Sequence, residues 1–226
     1  MSETVELMER RTTTDVVFDA LHEEIVSLKL LPGSKLSEAE VSKRFGVSRQ
    51  PVRDAFNRLA NLDLMLIRPQ KASEVRGFSM ERIAHARFVR LAIELEVIWN
   101  ACAVWDDHRA AILERSLEEQ EQAIESDQSE MFHTRDQEFH KLICELGGCP
   151  LAAQTIEECK RKIDRLCMLG LGRGKEATTL LKDHRKLARA LKKKSIDDST
   201  AIVRQHLGRL DNTIAEIRRD HSEYFE

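Results

Sequence analysis

Apolar residues recur at helical spacing through almost the whole chain. Val17, Leu21, Ile25 and Leu28 fall on one face after Thr13 and Thr14, which suit an N-cap, and the pattern stops at Pro32-Gly33, so a first helix is predicted here. Ser37-Glu38-Ala39-Glu40 has capping-box spacing, with Val41 and Phe45 as the buried face of a short second helix ending at Gly46. After the turn at Gly46-Val47, Ser48 suits the cap of a third helix. Pro51 falls in its first turn, where a missing N–H costs nothing, and Val52, Ala55, Phe56 and Leu59 give its apolar stripe. Leu64 to Ile67 and a run ending at Val75, parted by Pro69-Gln70-Lys71, predict two short strands about a turn.

From Ser79, a good cap residue, the pattern is helical to the end. Helices are predicted at about Met80 to Val104, Asp107 to Ala123, Ser129 to Leu146, Pro150 to Leu169, Glu176 to Lys193 and Asp197 to Tyr224. The breaks fall at Gly147-Gly148, Gly170 to Gly174 and Ser195, and no nucleotide-binding G-x-G-x-x-G loop occurs. The fold class expected is therefore mainly α: a winged helix-turn-helix in residues 1–76, a linker at 77–79 and an all-helical bundle in 80–226. A length of 226 residues suits two such domains.

Composition narrows the function classes. No apolar run approaches the roughly 20 residues of a membrane span, and the start MSETVELMERR lacks a signal peptide's apolar stretch, so a cytoplasmic protein with no membrane partner is expected. Five cysteines with no C-x-x-C pair argue against a disulfide framework. A formal net charge of −3 leaves nucleic-acid binding only to a local patch. Between Lys43 and Arg58 such a patch exists, since Lys43, Arg44, Arg49, Arg53 and Arg58 face Asp54 alone. The second helix of a helix-turn-helix enters the major groove with its N-terminal residues, here Ser48, Arg49, Gln50 and Arg53. Arg49, Arg53 and Asn57 repeat every four positions away from Val52 and Phe56; arginine addresses guanine in two-pronged fashion and glutamine addresses adenine. The alternative is an ordinary solvated helix face.

A second set of residues places ionisable groups where apolar ones are expected. His184 lies among Leu180, Leu181, Leu187 and Leu191, and His206 among Ile202, Val203 and Leu210. Each is eleven residues from the turn at Ser195, so an antiparallel hairpin brings them level. Asp136 and His140 share one helix face. Two readings stand: hydrogen-bonded core histidines, or a shared divalent metal. Arg90 is likewise on an inward face, one turn before Glu94. It serves either an internal salt bridge or a ligand carboxylate. His22, His85, His108, His133 and His221 lack partners at ligand spacing and are read as surface or incidental.

The run from Leu30 to Leu59, L-L-P-G-S-K-L-S-E-A-E-V-S-K-R-F-G-V-S-R-Q-P-V-R-D-A-F-N-R-L, resembles the winged helix-turn-helix of the GntR superfamily of bacterial regulators. Residues 80–224 resemble the FCD effector domain of its FadR-like branch. The likeness lies in F-V-R-L-A-I-E-L-E (Phe88–Glu96), R-D-Q-E-F-H (Arg135–His140), D-H-R-K-L-A-R-A-L (Asp183–Leu191) and R-Q-H-L (Arg204–Leu207). The resemblance implies DNA contacts at Ser48, Arg49, Gln50 and Arg53, with Lys71 in the wing, although Ala39 and Ala72 depart from residues some members carry there. It also implies metal ligands at Asp136, His140, His184 and His206 for one divalent ion per chain, zinc or nickel first among the candidates. Arg90 falls on the position facing a small organic-acid effector. A homodimeric transcription regulator, repressor or activator, acting on an inverted-repeat operator is the function implied. The alternatives are a regulator whose metal is structural or is itself the signal and, less in keeping with the resemblance, a metalloenzyme fused to a DNA-binding module.

Overall fold

The computed structural model describes residues 11–68, 71–170 and 175–226 and divides the chain into two units, one closing at Phe78 and the other opening at Ser79. The turn expected at Pro69-Gln70 and the break expected at 171–174 lie outside the described residues, as does the side chain of Cys167.

In the first unit, α1 (Thr13–Val26) is capped by Thr12 rather than by Thr13 or Thr14. The Asp15 amide donates to Thr12 Oγ1 at 3.1 Å while the Thr12 amide donates to Asp15 Oδ2 at 2.9 Å, a reciprocal pairing that fixes the helix start. The helix also stops earlier than its apolar pattern, because Leu28 takes a left-handed φ of 62°. The capping box of α2 (Glu38–Phe45) is present, with the Glu40 amide donating to Ser37 Oγ at 3.1 Å, and Gly46 closes the helix at a φ of 65°. Helix α3 (Arg49–Asn61) follows. Ser48 occupies its N-cap position but makes no side-chain cap bond, which leaves the hydroxyl exposed at the helix start.

Three short strands, β1 (Lys35–Leu36), β2 (Met65–Leu66) and β3 (Ser73–Val75), form an antiparallel sheet in the order β1-β3-β2, with Lys35 opposite Glu74 and Met65 opposite Val75. β1 has no alternating pattern to announce it, being two residues long. Val17, Leu21, Ile25, Val52, Phe56, Leu59, Met65 and Val75 meet in a core from which water is excluded.

The second unit is helical throughout its described residues, apart from its connecting turns and termini: α4 (Met80–Val104), α5 (Asp107–Glu125), α6 (Ser129–Leu146), α7 (Pro150–Gly170), α8 (Lys175–Lys192), α9 (Ile196–Gly208) and α10 (Leu210–Asp220), then a 3-10 turn at Ser222–Tyr224. The single last helix predicted to Tyr224 is thus two helices and a turn. The interruption follows Gly208, a poor helix former: the Arg209 amide bonds one residue short, to His206 O at 3.2 Å, while its guanidinium is drawn onto the buried Asp183, Nη2 donating to Oδ1 at 3.1 Å. Helix α4 packs against α7 and α9, and α5 against α6 and α8. Val97, Ile98, Trp105, Leu113, Leu117, Phe139, Ile143 and Leu191 fill the space between them. Cys102, Cys144 and Cys159 are buried free thiols. Among the described residues no helix is long and apolar enough to cross a membrane.

Candidate metal centre and nucleic-acid interface

On α3 the apolar residues Val52, Ala55 and Phe56 are buried, and Ser48, Arg49, Gln50, Arg53 and Asn57 are exposed on the other side. The exposed groups are not idle. Arg53 donates through Nε and Nη2 to Glu38 at 3.1 and 3.0 Å, and Gln50 Nε2 donates to Asp54 Oδ1 at 2.9 Å. The hydrogen bond from Arg53 holds the Glu38 carboxyl below its usual range. Arg44 pairs with Glu24 and Arg58 with Asp15 in the same manner. Exposed ion pairs of this kind are worth about 0–1 kcal/mol, so a phosphate or a base edge can take over the cation at little cost. Lys71 is exposed on the turn that leads into β3.

In the second unit four buried side chains from three helices meet: Asp136 and His140 on α6, His184 on α8 and His206 on α9, one ligand atom of each lying within 4.8 Å of the others. His140 Nε2 is 3.2 Å from His206 Nε2, which is 3.3 Å from His184 Nε2, and that atom is 3.5 Å from Asp136 Oδ1. Metal–nitrogen bonds of about 2.0 Å in a tetrahedron set ligand atoms roughly 3.3 Å apart, so these edges fit a small divalent ion; His140 Nε2 to Asp136 Oδ1 is longer, at 4.0 Å.

The tautomers point the same way. His140 Nδ1 lies 3.0 Å from Glu94 Oε2 and His184 Nδ1 lies 2.7 Å from Gln120 Oε1, oxygens that accept a proton from the ring. Each Nε2 is then a bare lone pair, and His206 Nε2 can donate to one of them only. Converging lone pairs without enough protons between them are what a cation resolves, and the Glu94–His140 pair is the carboxylate–histidine arrangement that orients metal ligands.

Burial sets the charge states. It pushes His184 well below its ordinary value, reinforced by His206, and with the nearby His140 it brings His206 down to about 4, so both rings stay neutral and available. For the carboxyls burial acts upward but is outweighed. Lys160 holds Asp136 well below the usual carboxylate range, and the Arg90 charge with the hydrogen bond to His140 does the same for Glu94.

Arg90 on α4 donates from Nε to Glu94 Oε1 at 2.6 Å, so the internal salt bridge exists and is joined through Glu94 to His140. Arg90, Asp136, Lys160 and His206 also line one cavity of about 90 Å³, with Phe132 and Leu207 on its apolar side. His133, set aside by spacing as incidental, lines it too. Sequence reasoning missed three supports: Gln120, Lys160 and the reach of Glu94 to His140. A signal for the first two was present, since Gln120 continues the inward Leu113–Leu117 face of α5 and Lys160 falls between the buried Ile156 and Ile163 of α7.

Residues 13–75 match the gntR family of bacterial regulatory proteins, and residues 86–209 match the FCD domain. The HTH-type transcriptional repressor RspR of Escherichia coli (strain K12) is 36% identical over 209 residues, 92% of each chain. An HTH-type transcriptional regulator of Streptomyces ambofaciens is 29% identical over 215 residues, 95% of this chain and 90% of its own. Among solved structures, E. coli McbR/YncC aligns with a TM-score of 0.70 at 20% identity, over 94% of this chain and 100% of its own. At that identity the likeness concerns the fold alone.

Proposed function

The chain belongs to the gntR family of bacterial regulatory proteins, DNA-binding transcription regulators, and carries an FCD domain, and from this we propose that it is a homodimeric repressor whose hold on its operator is set by a small organic acid bound beside a metal ion. The observation that carries the reading is the meeting of two anion- and metal-compatible groups at one cavity: three imidazoles and a carboxylate whose donor atoms converge, and the Arg90 guanidinium. Asp136, His140, His184 and His206 hold one divalent ion per chain, zinc or nickel, which supplies a Lewis-acid position for an oxygen of the effector. Arg90, steered by Glu94, takes the effector's carboxylate, the geometry a guanidinium suits best. The cavity's size favours a hydroxy acid, sugar acid or short dicarboxylate over a long acyl chain.

Ser48, Arg49, Gln50 and Arg53, with Lys71 from the wing, contact the DNA. One short recognition helix reads only a few base pairs, so two copies on an inverted repeat supply the specificity. An apolar face suits that pairing: Phe88 and Trp99 on α4 are 72% and 54% exposed, and Leu151 on α7, which packs against α4, is 83% exposed. The relative named a repressor favours the sign of regulation chosen.

A thermal-shift screen of organic acids on zinc-loaded protein, repeated with Arg90→Ala, tests the reading. Carboxylate hits that Arg90→Ala loses while keeping its zinc support it; hits that are cationic or apolar, or an Arg90→Ala response equal to the parent's, overturn it. A second reading, in which the metal alone is the signal, is favoured by the hydrogen bonds that already aim His140 and His184 at the ion's place. Operator binding that zinc changes and no acid alters further would select it.

A further inference from the structure

Lys160 stands out among the buried groups because the proposed site does not use it. Its residue is 5% exposed, and Nζ donates to Asp136 Oδ2 at 2.5 Å, while the other oxygen of that carboxylate, Oδ1, is the one that faces the imidazoles. An ion held by the imidazoles would therefore share that carboxylate with the ammonium, one oxygen each. Lys160 also belongs to the wall of the cavity that Arg90 and His206 line, and to the wall of a second cavity between α6 and α7 that reaches His140.

The charges of this centre do not balance once a divalent ion is present. Glu94 offsets Arg90 and Asp183 offsets Arg209, so Lys160 and the ion face Asp136 and Glu176 with one positive charge left over. Like charges at close quarters with little water between them repel strongly, and an anion in the adjoining cavity is what relieves them. We propose that Lys160 is a tethered cation that keeps metal affinity low until an organic anion enters the cavity, so that metal and acid bind cooperatively and the regulator responds to the pair. The proposal rests on the metal-and-carboxylate reading above and adds a residue and a coupling to it. By linkage the effect is reciprocal: the factor by which the acid raises metal affinity is the factor by which the metal raises acid affinity.

Zinc competition against a chromophoric chelator, with and without sodium acetate, tests this in the full-length parent, Lys160→Met, Lys160→Arg and His184→Ala/His206→Ala. Acetate is small enough for the cavity, and the double histidine variant corrects for its own hold on zinc. The parent should gain zinc affinity severalfold with acetate. Lys160→Met should bind zinc at least tenfold more tightly than the parent without acetate and gain little from it, whereas Lys160→Arg, which keeps the charge, should follow the parent. Because Lys160→Met leaves a buried carboxylate without its partner, its melting temperature without metal should fall, and zinc should raise it by more than it raises the parent's; that readout holds even if the variant is marginally folded. Equal or weaker zinc binding by folded Lys160→Met, or no acetate effect on the parent, overturns the proposal while leaving the metal reading intact. Parent-like zinc affinity in His184→Ala/His206→Ala would overturn the metal reading, and this proposal with it.

Discussion

The two units place their ionisable residues in opposite ways. Around α3 the core holds no charged group, and the charged groups stand outside it in pairs such as Arg53–Glu38 and Arg44–Glu24, each open to water. In the helical bundle Glu94, Asp136, His140, Lys160, His184 and His206 occupy the interior and answer one another across five helices. An exposed pair can be dissolved and re-formed on a phosphate at almost no cost, whereas a buried set loses heavily if any member is left alone. The first arrangement suits a surface that must exchange partners quickly, and the second suits a centre that must hold one arrangement until a ligand changes it.

Four measurements can break or sharpen that contrast. The largest effect is expected in His184→Ala/His206→Ala, which should lower zinc affinity by roughly 5 kcal/mol or more if a four-ligand site's apparent ~10–16 kcal/mol is shared among its ligands; elemental analysis after dialysis reads it, and parent-like zinc content would make these ordinary core histidines. Next, Glu94→Ala removes the buried carboxylate that Arg90 and His140 share and should cost about 3–5 kcal/mol in urea unfolding, against less than about 1 kcal/mol for Glu38→Ala on the surface. Equal costs would remove the distinction between the two units.

The third concerns acid. His206, faced by His140 and Asp136 from α6, His184 from α8 and Arg90 and Glu94 from α4, titrates at about 4 in the folded protein against an ordinary 6.5. The unfolded chain therefore takes up the proton first, so the metal-free protein keeps this stability above 6.5 and loses it as the pH falls from there toward 4, by roughly 3 kcal/mol. Unfolding midpoints that are flat across this window, or no flatter in His206→Gln than in the parent, would contradict the burial argument. The smallest effect lies at the DNA face. Arg49→Ala should weaken the best operator by about 1–3 kcal/mol and relax base preference there while shifting stability by no more than ~0.5 kcal/mol. Gel-shift titration and a urea melt of the same preparation separate the two, and an unchanged operator affinity would remove Arg49 from the recognition set.

Legibility in the sequence follows the same divide. The helix-turn-helix is announced by local chemistry, since a capping box, a turn glycine and a proline in the first turn all act within a few residues of where they stand. β1 escaped because two residues have no period, and the end of α1 was misplaced because Leu28 fits the apolar pattern while its backbone has already left the helix. In the bundle, the pairing of His184 with His206 could be read from misplaced polarity and an equal distance to the Ser195 turn, and that of Asp136 with His140 from a shared helix face, while joining the two pairs into one centre draws on the resemblance to the FCD domain. Gln120 and Lys160 could be placed on inward faces, but what they would meet could not be read. Gln120 and Lys160 come from α5 and α7, and only packing decides which inward polar residue meets which. The break at Arg209 is only partly legible: Gly208 weakens the helix there, but the pull of Asp183 on a neighbouring helix cannot be read from α9 or α10.

The two tryptophans of the chain sit six residues apart and in opposite surroundings, Trp99 on the exposed face of α4 and Trp105 1% exposed at its end. Their fluorescence should therefore come as two separable components. Iodide in solution can quench Trp99 and cannot reach Trp105, so in dilute protein the quenchable fraction reports how open the α4 face is. If the proposed dimer forms through that face, the Trp99 emission should move to the blue and escape iodide while the Trp105 component stays where it was. The molecule thus carries its own optical gauge of self-association, with an internal standard a turn and a half away along the same helix.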